Sequence, residues 1–427
     1  MVAYSRPVVP PELLHEILSN LWVQGDSVSL KVCALVHQSW LPVVRPLIFR
    51  SVAFEQPNWA KFDNALVTFI NTVQKNPNLG MHVRELSCNW AYRPIFSLND
   101  VNLPSVVSLT AKRFSMIGRP NGDSTWPLLK LQRLTKIFLT EITFNDLDQF
   151  SACFEQAQGT NISTVQLHRI CILQGRRETI RAAYMDSDDE DSIPEERKEK
   201  VLASNDKDTS QSMPRIRPQL QKLEIVRGHA SVLALWFIKE DCPFDLTTLK
   251  TLRYEEDLEK PDITNLIKLL QLCAMSLENL EIYSPRSRSV FLSSLIWLKY
   301  NLSGLLETNN LDISPRTIPN LRHITISGIS PYSIVNAIPW LSQLTRESQL
   351  RTLALKFWFG KLKLAENEQP VRTWQDLDDT VDNLPVLNLE RIEVKIPDRK
   401  QKKSAQEISK TYLPRVMERS ICVLTIL

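Results

Sequence analysis

The sequence predicts an α/β protein in which a short all-helical N-terminal module precedes an irregular solenoid of short parallel strands and helices. Two observations carry that expectation. Beyond residue 80 of the 427-residue chain, apolar residues recur in the spacing L-x-x-L-x-L, and self-similarity at a fixed period marks stacked strand–helix units. Within the first fifty residues the apolar positions instead follow helical spacing.

The N-terminal module begins at Val9-Pro10-Pro11-Glu12. Prolines are tolerated in a first helical turn, where backbone N–H groups lack intrahelical partners. Leu13, Leu14, Ile17, Leu18 and Leu21 follow as a stripe wider than one helix face needs. Gly25-Asp26-Ser27 breaks and caps. A second helix turns Leu30, Cys33, Ala34 and Trp40 inward, and Pro42 stops it. Two short helices cannot bury the whole stripe. Chains below about 40 residues need outside help to be stable, so the leftover apolar surface implies a partner.

The repeated trio occurs eleven times: Val83/Leu86/Cys88, Val106/Leu109/Ala111, Leu134/Ile137/Leu139, Ile162/Val165/Leu167, Leu220/Leu223/Ile225, Leu249/Leu252/Tyr254, Leu277/Leu280/Ile282, Leu321/Ile324/Ile326, Leu350/Leu353/Leu355, Leu389/Ile392/Val394 and Ile421/Leu424/Ile426. Successive starts lie 23, 28, 28, 58, 29, 28, 44, 29, 39 and 32 residues apart. A period near 28 falls in the leucine-rich-repeat range. The spacing of 58 is close to two repeats, and those of 44 and 39 read as single repeats with insertions. Helical patterns lie between the trios, at Asp146 to Ala157, Ile263 to Cys273, Val290 to Leu306 and Tyr332 to Leu344. Each unit buries one face only by stacking on its neighbour. The ninth position of the repeat, where Asn or Cys ordinarily ties the turns together, holds Ala91, Phe114, Ile142, Ile170, Gly228, Asp257, Pro285, Ile329, Trp358 and Pro397. An irregular solenoid is expected.

The run Val-Pro-Pro-Glu-Leu-Leu from Val9, then Glu16-Ile17-Leu18, Leu21, Ser29 to Val36, Trp40 and Phe49 resembles an F-box. The likeness covers roughly residues 8 to 50 and departs from the family at Val9, where leucine is usual, and at His37-Gln38. It implies docking on Skp1 and, through that adaptor, on a cullin, with Pro10, Leu13, Leu14, Ile17 and Leu18 carrying the contact. The domain plan that follows is an F-box over residues 1–50, a linking strand and helix over 51–80, and a leucine-rich-repeat-like solenoid over 81–427. The role implied is the substrate-recruiting subunit of an SCF-type ubiquitin ligase, in ubiquitin-dependent degradation. A non-ligase scaffold using the same modules is the alternative.

In each repeat the third, fifth and seventh positions alternate away from the core. They spell a polar strip with scattered aromatics, and Phe138, Arg253 and Tyr283 are the candidate contacts for a protein substrate, because aromatic and arginine side chains anchor interfaces. Phe357-Trp358-Phe359, beside Lys356, Lys361 and Lys363, is a second candidate patch. Residues 184–213 are polar and acidic, too poor in apolar groups to build a core. Within them Ser187 and Ser192 each precede a glutamate by three residues, a pattern that acidophilic kinases modify. Arg399 to Lys403 forms a basic run.

Composition narrows the function classes. With 51 basic and 48 acidic side chains, the net charge of +3 offers no overall field for nucleic acid or membrane. The seven cysteines are scattered without a CxxC pair, as suits a reducing compartment. Met1 to Arg6 has no apolar signal-peptide core. A cytoplasmic or nuclear protein is expected. Six scattered histidines and only ten glycines, with no phosphate-binding loop, point away from an enzyme and from any cofactor or metal.

Overall fold

The computed structural model describes residues 9–36, 38–54, 59–91, 101–115, 131, 133–157, 160–173, 217–256, 264–283, 318–329, 338, 341–342, 344–357, 369–386, 388–396, 410–411 and 413–426. The acidic run 184–213 and the helical pattern Val290 to Leu306 lie outside these residues, as does most of Tyr332 to Leu344.

Three helices open the chain: α1 (Pro11–Val23), α2 (Ser27–Val36) and α3 (Leu41–Ile48). Pro11 occupies the first turn of α1. Gly25 takes a left-handed φ of 75° that reverses the chain. Asp26 then caps α2: Oδ1 accepts from the Ser29 N–H at 3.0 Å and Oδ2 from the Ser29 hydroxyl at 2.6 Å. Those bonds hold the Asp26 carboxyl below its usual range. Pro42 does not stop the second helix. That helix ends at Val36, and Pro42 stands in the first turn of α3, where its fixed φ suits a helix start. Leu14, Leu18, Leu30 and Val44 form a small core, with Leu21, Trp22, Cys33, Ala34 and Trp40 packed against it.

The rest of the chain builds one twelve-stranded parallel sheet in strict sequence order. Its strands are β1 (Ser51–Phe54), β2 (Glu85–Ala91), β3 (Ser108–Ser115), β4 (Lys136–Phe144), β5 (Thr164–Ile172), β6 (Lys222–Gly228), β7 (Thr251–Glu255), β8 (Asn279–Tyr283), β9 (His323–Ile329), β10 (Thr352–Phe357), β11 (Arg391–Ile396) and β12 (Cys422–Ile426). The second and third residues of each of the eleven trios fall on one strand from β2 to β12, and Ser51–Phe54 adds a twelfth strand in front of them. The 58-residue spacing is corrected here. Val165 of β5 pairs directly with Leu223 of β6, so that stretch is one turn with a long insertion rather than two repeats. Length alone misleads, because the entropy of closing a loop grows only slowly with its size.

Register passes from turn to turn through a repeated bond. Two consecutive N–H groups converge on one carbonyl of the preceding strand: Thr135 and Lys136 on Val107, Ser163 and Thr164 on Thr135, and so on to Glu390 and Arg391 on Arg351. Hydroxyls reinforce the stack where no asparagine ladder exists. Thr135 donates to the Val107 carbonyl at 3.1 Å and Ser276 to that of Leu249 at 2.9 Å.

Strands β3 to β6 also share a left-handed kink. Arg113, Glu141, Arg169 and Arg227, all at the eighth repeat position, have φ of 55°, 57°, 54° and 62°. In β4 the buried alternation skips a residue there, Ile137 and Leu139 being buried before the kink and Ile142 and Phe144 after it, while the strands stay in register across it. At Gly228 the φ is 75° and an added Cβ would collide with the Ile170 carbonyl, so only glycine fits.

Helices Leu147–Phe154 (α6), Ala230–Phe237 (α7) and Thr264–Cys273 (α8) sit between strands, α6 and α8 where the apolar patterns place them; α4 (Trp59–Lys75) and α5 (Pro77–Gly80) precede β2. Asp146 caps α6 by accepting from the Gln149 N–H at 2.6 Å. Phe144, Phe150, Phe154, Trp236, Phe237 and Phe244 pack there as one aromatic cluster, with ring centroids 4.9 to 6.2 Å apart. Cys88, Cys153, Cys242 and Cys273 are buried as small apolar residues, and burial pushes the thiols of Cys88, Cys242 and Cys273 up to about 12.

Candidate functional site

Two surfaces stand out, one apolar on the N-terminal helices and one charged on the open face of the sheet. The helical surface follows from how the leucine stripe divides. Leu14 and Leu18, four residues apart, turn inward and are buried in the module's own core. They hold that core and are not available to a partner, which corrects their assignment to the contact. Leu13 and Ile17 lie a third of a turn round the helix and are 52% and 54% exposed, and Pro10 is exposed just before α1. Helix α2 contributes residues that the sequence reading passed over: Val28, Val32, Leu35 and Val36 are all exposed, Leu35 by 86%. The four-residue spacing of Val28, Val32 and Val36 was the available signal. Of fourteen exposed large apolar residues among those described, eight fall between Val9 and Val36. Among the described residues, exposed apolar groups are therefore concentrated at this end of the chain. Beside it the Arg50 guanidinium stacks over Trp22 at 4.5 Å from the ring centre.

The sheet face is built by register. Along the fifth repeat position run Thr110, Phe138, Gln166, Glu224, Arg253, Glu281, Thr325, Ala354 and Glu393, each paired with the next. Phe138 is half-buried between Thr110 and Gln166. Arg253 stands between Glu224 and Glu281. Tyr283 ends β8, paired with Glu255 and Ser327, and its side chain lies outside the described residues. The three candidate contacts thus share one face but not one cluster, since Phe138 lies three strands from Arg253.

That face is less open than simple alternation implies. Glu255 and Ser327, expected to be exposed, are buried, and so is Glu224 at the fifth position of its strand. Long cations close over them. Arg227 Nε meets Glu255 Oε1 at 2.6 Å, and Lys222 Nζ meets Glu224 Oε1 at 2.8 Å. His168 Nε2 lies 3.2 Å from Glu224 Oε2. Burial would raise the Glu224 carboxyl, but hydrogen bonds from His168 and Lys222, with the charges of Lys222 and Arg253, outweigh it and hold the group at about 2. Lys356 of β10 reaches across β9 to Glu281 of β8 at 2.6 Å. Glu393 pairs with Arg391 at 2.8 Å and with Lys395, whose hydrogen bond lowers its carboxyl. At the shared kink, Arg113 and Arg169 both bond Glu141, at 3.1 and 2.6 Å.

Among the described residues no group of three His, Cys, Asp or Glu side chains is placed to hold a metal ion. No described helix is long and apolar enough to cross a membrane. Ser187, Ser192, Trp358, Phe359 and the run Arg399 to Lys403 lie outside the described residues, and Phe357 ends β10. Comparison of the chain with protein-family models and with curated proteins gave no match.

Proposed function

We propose that this chain is a non-catalytic, substrate-recruiting subunit of an SCF-type ubiquitin ligase, its N-terminal helices docking on a Skp1-like adaptor and its sheet face holding a protein substrate. The observation that carries the reading is the concentration of exposed apolar side chains on a three-helix module that has a separate small core. Exposed apolar patches of this kind mark interaction sites, and the same residues carry the F-box resemblance. Leu13, Ile17, Val32, Leu35 and Val36 are the residues that meet the adaptor in this reading. Leu14 and Leu18 support them from within. The protein would act by proximity, raising the effective concentration of substrate lysines beside a bound conjugating enzyme.

The test is co-purification of the full chain with a Skp1 adaptor and a cullin. Ile17→Asp combined with Leu35→Asp should abolish capture of both while leaving the circular dichroism spectrum and melting temperature unchanged. Capture undiminished by the pair of substitutions would sink the proposal. Adaptor binding without the cullin would favour the non-ligase scaffold.

A further inference from the structure

Resting on the reading of the sheet face as the partner-binding surface, we propose that this face takes an acidic protein segment, with Arg253 as the residue that grips one of its carboxylates. The first support is depth. In every ion pair on the face the cation is the more exposed member: Lys222 by 41% against 10% for Glu224, and Arg391 by 50% against 13% for Glu393. The same order holds for Arg227 over Glu255, Arg253 and Lys356 over Glu281, and Lys395 over Glu393. An approaching partner meets ammonium and guanidinium groups, with the carboxylates on the floor beneath them.

The second support is the charge balance. These pairs hold six cations, Lys222, Arg227, Arg253, Lys356, Arg391 and Lys395, against four carboxylates, Glu224, Glu255, Glu281 and Glu393. A surplus of two sits on one face of a chain whose total is +3. Arg253 supplies the third support. Its Nε is buried without a hydrogen bond and lies 3.8 Å from Glu281, beyond bonding reach. That inward Nε is closed to a partner, but the side chain is 35% exposed, and the Nη pair of a guanidinium presents a fork that suits a bidentate carboxylate. A peptide fits this pattern better than a nucleic acid does. It can space its charges to match the cations and lay an apolar side chain on half-buried Phe138, whereas a uniformly charged backbone meets the four carboxylates as well.

The experiment measures fluorescence anisotropy of a labelled peptide of alternating Glu and Ala on the full chain, against a Lys/Ala peptide and a single-stranded oligonucleotide. The Glu peptide should bind and weaken with added salt. Lys222→Glu with Arg391→Glu should weaken it at least tenfold, and Arg253→Lys several-fold, because lysine keeps the charge but lacks the fork. Unchanged far-UV circular dichroism at the assay temperature shows that the variants are folded, since losing the cations beside Glu224 and Glu393 lowers the melting temperature. Failure of the Glu peptide to bind, equal binding by the charge-reversed chain, or tighter oligonucleotide binding lost on charge reversal would each overturn the proposal. So would peptide binding only after removal of residues 184–213, which would make the chain's own acidic run the occupant. Adaptor capture is scored on the same preparations: peptide binding without adaptor capture removes the ligase reading alone, and adaptor capture without peptide binding removes this one alone.

Discussion

The N-terminal helices and the sheet body solve the same problem in opposite ways. In the helices, four side chains make the buried core while seven large apolar residues of α1 and α2 are exposed. In the sheet body the apolar core is continuous from Phe54 to Val416, and the anomaly is charge turned inward, with Glu224 and Glu255 buried on a face expected to be wet. Exposed apolar groups and buried ions both cost free energy in an isolated domain. In the proposed reading a partner relieves the first cost; cations on the same and neighbouring turns relieve the second. Outward apolar groups therefore point to what lies beyond the chain, and inward charges to how its turns hold together.

The largest effects that sharpen this contrast come from truncating each core. Phe150→Ala removes the ring touching Phe144, Phe154 and Trp236 and should cost ~3–5 kcal/mol in urea unfolding. Leu18→Ala, in the smaller core, should cost ~2–5 kcal/mol. If the two regions are separate in stability as well as in packing, the Phe150→Ala chain keeps the unfolding transition of the helices unshifted. A single common transition that moves equally for both variants would break the comparison.

A smaller effect concerns the kink. Gly228→Ala places a side chain at positive φ and against the Ile170 carbonyl. A cost of ~1–3 kcal/mol is expected, the range for a residue forced into such a conformation. No loss of melting temperature would mean that the β5–β6 junction relaxes freely.

The smallest effect isolates the inward charge. Glu224 titrates at about 2 in the folded chain against an ordinary 4.5. A depressed folded value means that its pairing stabilises the protein above pH 4.5 and that this contribution fades as pH falls toward 2. The parent chain should therefore lose more stability across that window than Glu224→Gln does. Equal slopes in denaturant titrations at several pH values would show that His168 and Lys222 do not stabilise the carboxylate.

The strand positions were legible because the trio repeats the same apolar signal at every turn, and the core face of a strand admits little else. The kink at the eighth position was legible too: Ile137 and Leu139 followed by Ile142 and Phe144 break strict alternation by one residue. The third helix was obscured by Pro42 and Pro46, since proline marks both the end of one helix and the start of another. The burial of Glu224 and Ser327 was not legible, because it depends on side chains from strands far away in sequence, such as Lys356 reaching over β9 to Glu281. On the helices, the stripe correctly announced unburied apolar surface. Periodicity alone did not say which leucines stay inside, a matter settled by where α3 packs.

The doubled N–H bond onto one carbonyl, made at the start of every strand from β2 to β11, has a further implication for how such a chain changes. Because that joint is made by backbone groups at the strand start, it is indifferent to how far the polypeptide travels before returning. Intervals between trios as short as 23 and as long as 58 residues feed the same sheet in the same phase. New sequence can be spliced into the connections without rewriting the strands. The molecule thus separates a conserved-geometry side, where each substitution alters what a neighbour touches, from a permissive side, where whole segments can be gained or trimmed as modular cargo.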